Sequence, residues 1–202
     1  MTTQPMTPVD AAWYHMDGPV NLAMVTGIVL TKKPFDFERV KDVYTRRLGG
    51  FERFRQRVVE SGFLLATPHW EDMPHFDIDQ HLHHVALPAP GDQAALASLI
   101  SDLASTPLDR ERPLWQVHVV DGVDRGSALI MRYHHCIGDG TAMMTVIRQI
   151  FDTKPGGALE ATASEPGPAE RGLVDRLLAP ALETVERSAR RALSAIDAGL
   201  DS

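Results

Sequence analysis

An apolar run, Ala128-Leu129-Ile130-Met131-Arg132-Tyr133, leads directly into His134-His135-Cys136-Ile137-Gly138-Asp139-Gly140, and a stretch with helical spacing follows from Thr141 to Phe151. The run reads as a strand and the stretch after it as a helix, so the passage is strand, tight turn, helix. A histidine at the end of a buried strand, just before a helix, is held rigidly at the rim of a cleft. That is where a general base belongs.

The rest of the chain supplies partners for such a unit. Thr7-Pro8-Val9-Asp10 is a helix start, with a capping hydroxyl, proline at the first helical position and an acid in the first turn. Met24 to Leu30 is apolar and reads as a strand, and Asp36 to Leu48 has helical spacing that stops at Gly49-Gly50. Phe54 to Val59 and Phe63 to Thr67 read as strands joined near Gly62, with a further strand at His83 to Leu87. A helix opens at Gly91-Asp92 and runs to about Ser105, and Trp115 to Val120 is the strand that precedes the apolar run. This mixture is α/β or α+β.

Of 202 residues, 44% are hydrophobic, enough for one sizeable core and room for a second small one. A formal net charge of −7 argues against nucleic-acid partners, which need a concentrated basic surface. The single cysteine, Cys136, excludes an internal disulfide and fits a reducing compartment. No apolar stretch approaches the roughly 18–20 residues that cross a bilayer, and the N-terminus is not a secretory signal. A cytoplasmic chain is expected, with peripheral contact to a membrane or lipid inclusion left open. His69, His75, His81, His83 and His84 lack the spacing and cysteine partners of a zinc site, so no metal is expected.

The seven-residue turn resembles the HHxxxDG signature of the CoA-dependent acyltransferase superfamily. Further stretches resemble one member of it, the bacterial wax ester synthase/diacylglycerol acyltransferases. These are Thr7 to Trp13 with His15-Met16-Asp17 and Asn21-Leu22, His81 to Pro88, and Pro107-Leu108-Asp109 followed by Arg112-Pro113-Leu114-Trp115. The resemblance covers residues 6 to 152, in the family's order, and corresponds to the N-terminal half of longer, two-halved enzymes.

It implies a two-layer α/β (α+β) sandwich, a chloramphenicol acetyltransferase-like half-domain. It also implies transfer of a fatty acyl group from acyl-CoA to a long-chain alcohol or to diacylglycerol, with acyl-CoA as substrate and no bound cofactor. His135 would be the general base, acting without an acyl-enzyme. His134, Asp139 and Gly140 would support it, Asp139 by pairing with an arginine such as Arg132 or Arg148 and Gly140 by permitting close backbone approach. Pro113, Leu114 and Trp115 fit either core or substrate tunnel. Met143 and Met144 read as helix packing. Cys136 is not expected to act as a nucleophile.

Under this resemblance the acyltransferase domain occupies 1–154. A Pro/Gly/Ala/Ser/Glu-rich linker follows over 155–170, and an amphipathic helical segment over 171–202 leads toward an absent C-terminal half, which would be a partner in the complete site. Two rivals remain at this stage. One is another HHxxxDG acyltransferase of the condensation-domain or polyketide-associated type. The other is a non-catalytic acyl-binding half.

Overall fold

The computed structural model describes residues 3–60 and 67–151. The expected linker and C-terminal helix, and most of the Phe63–Thr67 strand, lie outside them.

Helix α1 (Pro8–Met16) starts where the sequence placed it: Thr7 Oγ1 accepts the Asp10 amide at 3.2 Å, and Pro8 needs no partner for an amide it lacks. Strand β2 is Met24–Leu30, and α2 (Phe37–Arg47) is capped by Asp36, whose carboxylate accepts from Arg39 N. Helix α3 (Gln93–Ala104) is capped the same way by Asp92, and α4 (Gly140–Ile150) by Asp139.

Strands β2, β7 (Gly126–His134), β6 (Trp115–Val123) and β5 (Leu82–Ala86) form a four-stranded sheet in the order β2-β7-β6-β5. The β5–β6 pair is parallel and the others antiparallel. Alternation along β6 and β7 sorts their side chains. Trp115, Val117, Val119, Leu129, Met131 and Tyr133 pack with Tyr44 and Leu48 near α2 and with Met143, Val146 and Ile150 of α4. Val120, Ala128 and Ile130 pack on Leu96 of α3. The mixed α/β class is the expected one, with α2 and α4 packed against one face of this sheet and α3 against the other.

A second, three-stranded sheet runs β1-β4-β3, from β1 (Thr3–Pro5), β4 (His69–Asp72) and β3 (Gln56–Val59). Its buried residues Val58 and Trp70 join Met6, Ala11, Tyr14, Leu108, Leu114 and Cys136 in a separate apolar cluster. This second core positions the site, because it fixes α1 behind the turn that follows β7.

Candidate active site

Strand β7 ends at His134, and residues His135–Ile137 make a single 3-10 turn before α4. Two backbone bonds pin the bend. His134 N donates to Leu114 O at 3.0 Å on one side, and His135 N donates to Ala23 O at 2.9 Å on the other. Asp139 closes it by accepting the Ala142 amide at 2.8 Å, which starts α4. Space is limiting at Gly138, where a Cβ would come within 3.1 Å of the Ala142 Cβ.

The His135 ring is partly buried and lies flat against Trp13 of α1, with centroids 4.4 Å apart and planes 17° from parallel. Its Nδ1 is buried and has no hydrogen-bond partner among the described residues. That leaves Nε2 as the nitrogen open to a reactant.

His134 turns inward and is only 2% exposed. Its Nδ1 accepts the Cys136 amide at 3.1 Å, which places the proton of the neutral ring on Nε2. That nitrogen is 3.7 Å from Asp17 Oδ2, within electrostatic reach but too far for a hydrogen bond. Burial brings the His134 pKa down to about 4 in spite of the nearby carboxylate, so the ring is neutral at physiological pH.

Asp17 is the hub of this arrangement. Its Oδ1 accepts the Ala23 amide at 2.7 Å, and Ala23 in turn carries the carbonyl that holds His135 N. Its Oδ2 accepts from Arg110 at 3.1 Å. Arg110 also donates to the Asp17 carbonyl and lies 4.5 Å over the Tyr14 ring. Burial pushes the Tyr14 hydroxyl up to about 12, so it stays protonated.

The other residues singled out in the sequence fall as follows. Pro113, Leu114 and Trp115 are buried; Trp115 is fully enclosed, donates from its indole to Phe54 O at 2.9 Å and stacks on His81. Gly140 is exposed, and a Cβ there would meet nothing within 4 Å among the described residues. The close approach expected at Gly140 is therefore found at Gly138, because Gly140 is already the first residue of α4 and points away from the bend. Arg132 directs its guanidinium to Gln116 Oε1 at 2.9 Å and to the Thr106 carbonyl, which ties the end of α3 to β7.

Cys136 is fully buried, and burial pushes its thiol well above the ordinary range. It is separated from His135 by the turn, not by strand alternation, since the strand has already ended. Met143 packs in the core and Met144 is 50% exposed. His81 bonds through Nδ1 to the Trp115 carbonyl, and His84 contacts Asp121 at 2.6 Å.

Trp13, Asp17 and Arg110 were not assigned roles from sequence. All three lie in or beside the stretches that carry the family resemblance. Their contacts with the turn join positions far apart in the chain, which local spacing does not reveal.

Among the described residues no helix is long and apolar enough to cross a membrane. Residues 6–200 match the model of the family described as wax ester synthase/diacylglycerol acyltransferase catalytic domain. A Mycobacterium tuberculosis protein named probable diacylglycerol O-acyltransferase is 36% identical over 151 residues, spanning 73% of this chain and 33% of its own. The solved wax ester synthase/diacylglycerol acyltransferase from Marinobacter aquaeolei VT8 superposes with a TM-score of 0.64 at 26% identity, over 92% of this chain and 46% of that one. The first condensation domain of the calcium-dependent antibiotic synthetase shares the fold, with a TM-score of 0.61 at 16% identity over 74% of this chain and 37% of that one.

A mixed sheet whose last strand delivers paired histidines to an aspartate-capped helix is thus the half-domain fold of the HHxxxDG acyltransferases. This chain belongs to the wax ester synthase/diacylglycerol acyltransferase family. It spans a third to about half of the length of the relatives it matches.

Proposed function

We propose that this chain carries the catalytic histidine of an O-acyltransferase. The enzyme moves a fatty acyl group from acyl-CoA to a long-chain alcohol, giving a wax ester, or to diacylglycerol, giving a triacylglycerol. The observation that carries the reading is the His135 ring, fixed at the end of β7 with Nδ1 buried and Nε2 left open.

An alcohol is a weak nucleophile near neutral pH. His135 Nε2 takes the hydroxyl proton as the oxygen attacks the thioester carbonyl. The tetrahedral intermediate then expels the CoA thiolate, and the imidazolium returns its proton to that sulfur. Both substrates meet at one histidine, so the scheme needs no acyl-enzyme and no bound cofactor. The high pKa and full burial of Cys136 are consistent with this, because a protonated, enclosed thiol is a poor nucleophile.

His134 acts as a neutral support. Kept uncharged by burial, it adds no positive charge beside the base. Asp139 fixes the turn by capping α4. Acyl and acceptor channels would approach from the open side of His135. The rest of their walls would come from the further length that the relatives have. Peripheral docking on a membrane or lipid inclusion would give the site access to its acceptor.

The test is thiol release from palmitoyl-CoA, with hexadecanol or dioleoylglycerol as acceptor, for the chain and its His135→Ala variant. Release that needs an acceptor and falls by roughly 10²–10⁴ in the variant is the expected result. Equal release from both proteins would overturn the proposed role of His135.

A further inference from the structure

A histidine that works through Nε2 is ordinarily oriented by a hydrogen bond at Nδ1, which sets both tautomer and ring rotation. His135 lacks that bond, since its Nδ1 is buried and unpartnered among the described residues. The torsion that turns an imidazole about its Cβ–Cγ bond is broad and roughly two-fold, so the ring needs some other restraint. The backbone is held by His135 N on Ala23 O, but that bond fixes the main chain and not the ring.

We propose that Trp13 is the positioning residue for His135, its indole face setting the plane of the imidazole in place of the missing hydrogen bond. The two rings are within 17° of parallel at 4.4 Å, and turning the imidazole out of that plane would break the contact. Trp13 is itself well anchored. It belongs to α1, whose Ala11 and Tyr14 are buried in the second core, and it packs against that core from a partly buried position. The helix is fixed at its start by the Thr7 cap and at its end by Asp17, which binds Ala23 N and Arg110. The ring plane of the base is thereby referred to a rigid element on the far side of the turn.

This role rests on His135 being the base, so the test has an arm that does not depend on turnover. The full chain is compared with Trp13→Phe, which keeps a flat ring, and Trp13→Leu, which keeps an apolar side chain without a ring face. Circular dichroism and thermal melting confirm that each variant is folded. The first readout is the ring-proton chemical shift of His135 by NMR, assigned with a His135→Gln variant. The expected result is an upfield ring-current shift in the parent, kept in part by Phe and lost in Leu. An unchanged His135 shift in folded Trp13→Leu would overturn the proposal.

The second readout is kcat against KM in the acyl-transfer assay. Trp13→Leu is expected to lower kcat by about tenfold to a hundredfold with KM little changed, as misplacing a reacting group does, and Phe to recover most of it. A purely structural tryptophan would lower melting temperature in both variants and leave kcat per folded molecule intact, which would also overturn the proposal. If the parent shows the stacked shift but no acyl transfer, turnover requires the further length that the relatives have. The ring-shift comparison then still decides whether Trp13 stacks on His135 in solution, the contact on which its positioning role depends.

Discussion

Asp17 illustrates how much one carboxylate can organise. It binds Ala23 N, accepts from Arg110 and faces the Nε2 proton of His134, while being 10% exposed. Asp17→Ala removes an acceptor from a backbone amide and a partner from a guanidinium. A loss of about 1–3 kcal/mol is expected, measurable by urea denaturation. Asp17→Asn keeps an oxygen for Ala23 N and should recover part of that loss, while weakening the grip on Arg110. Equal stability of parent and alanine variant would contradict this account.

Burial lowers the pKa of His81, His83, His118 and His134, which makes stability depend on pH, and the effect is largest at His118 and His134. Burial brings both His134 and His118 down to about 4. An unfolded histidine titrates near 6.5. Between those values the unfolded chain binds more protons than the folded one, so stability is fully present above about 6.5 and is lost as pH falls toward 4. Each group contributes at most about 3 kcal/mol to that loss. Urea midpoints taken from pH 7 to pH 4.5 should fall, and His118→Gln should flatten the fall. A midpoint unchanged over that range would show that neither imidazole is held neutral.

At the scale of the element, the turn and α4 behave as one unit. Asp139→Ala leaves Ala142 N without its cap, and a loss of about 1 kcal/mol is expected, whereas Asp139→Asn should keep most of the cap. Thermal melts of the two variants check this. The glycines on either side of Asp139 should respond differently. Gly140→Ala places a methyl group in open space at a helix start and should leave the melting temperature unchanged or raised. Gly138→Ala crowds Ala142 and should lower it.

These elements also show what the sequence made legible. Caps and periodicity located the start of α1 and the bounds of β2, α2, α3 and α4 within a residue or two, because the signals are local: Thr7, Asp36 and Asp92 each accept an amide a few residues on. Strand β4 was missed. His69-Trp70-Glu71-Asp72 has neither alternation nor β-branched residues, and it is a strand because β1 and β3 pair with it on both sides. The strand expected from Phe54 begins only at Gln56, since Glu52–Arg55 forms a 3-10 turn. His135 was read as standing at the strand's end; the strand stops one residue earlier, at His134, and His135 opens the turn. Its surroundings were not read, because Trp13, Asp17 and Ala23 reach it only through tertiary packing.

For the molecule as a whole, the large sheet ends on a strand that natural sheets usually protect. Strand β2 is at one edge of the order β2-β7-β6-β5, so among the described residues one side of its backbone is unpaired within the sheet. Its sequence, Met24-Val25-Thr26-Gly27-Ile28-Val29-Leu30, contains no charge and no proline. Val25, Ile28 and Leu30 are 41%, 44% and 63% exposed. An apolar edge without charge, proline or bulge is a template for further pairing. The chain is therefore expected to self-associate with rising concentration and to bind a hydrophobic dye. Ile28 and Leu30 lie on one side of the strand, two residues apart. Replacing both by lysine should leave the packed side of β2 intact and shift sedimentation toward the monomer, with dye binding reduced. If the parent is monomeric and dye-silent at high concentration, another part of the chain covers this edge and β2 is not a free surface. If the double-lysine variant associates as strongly as the parent, association runs through a different face.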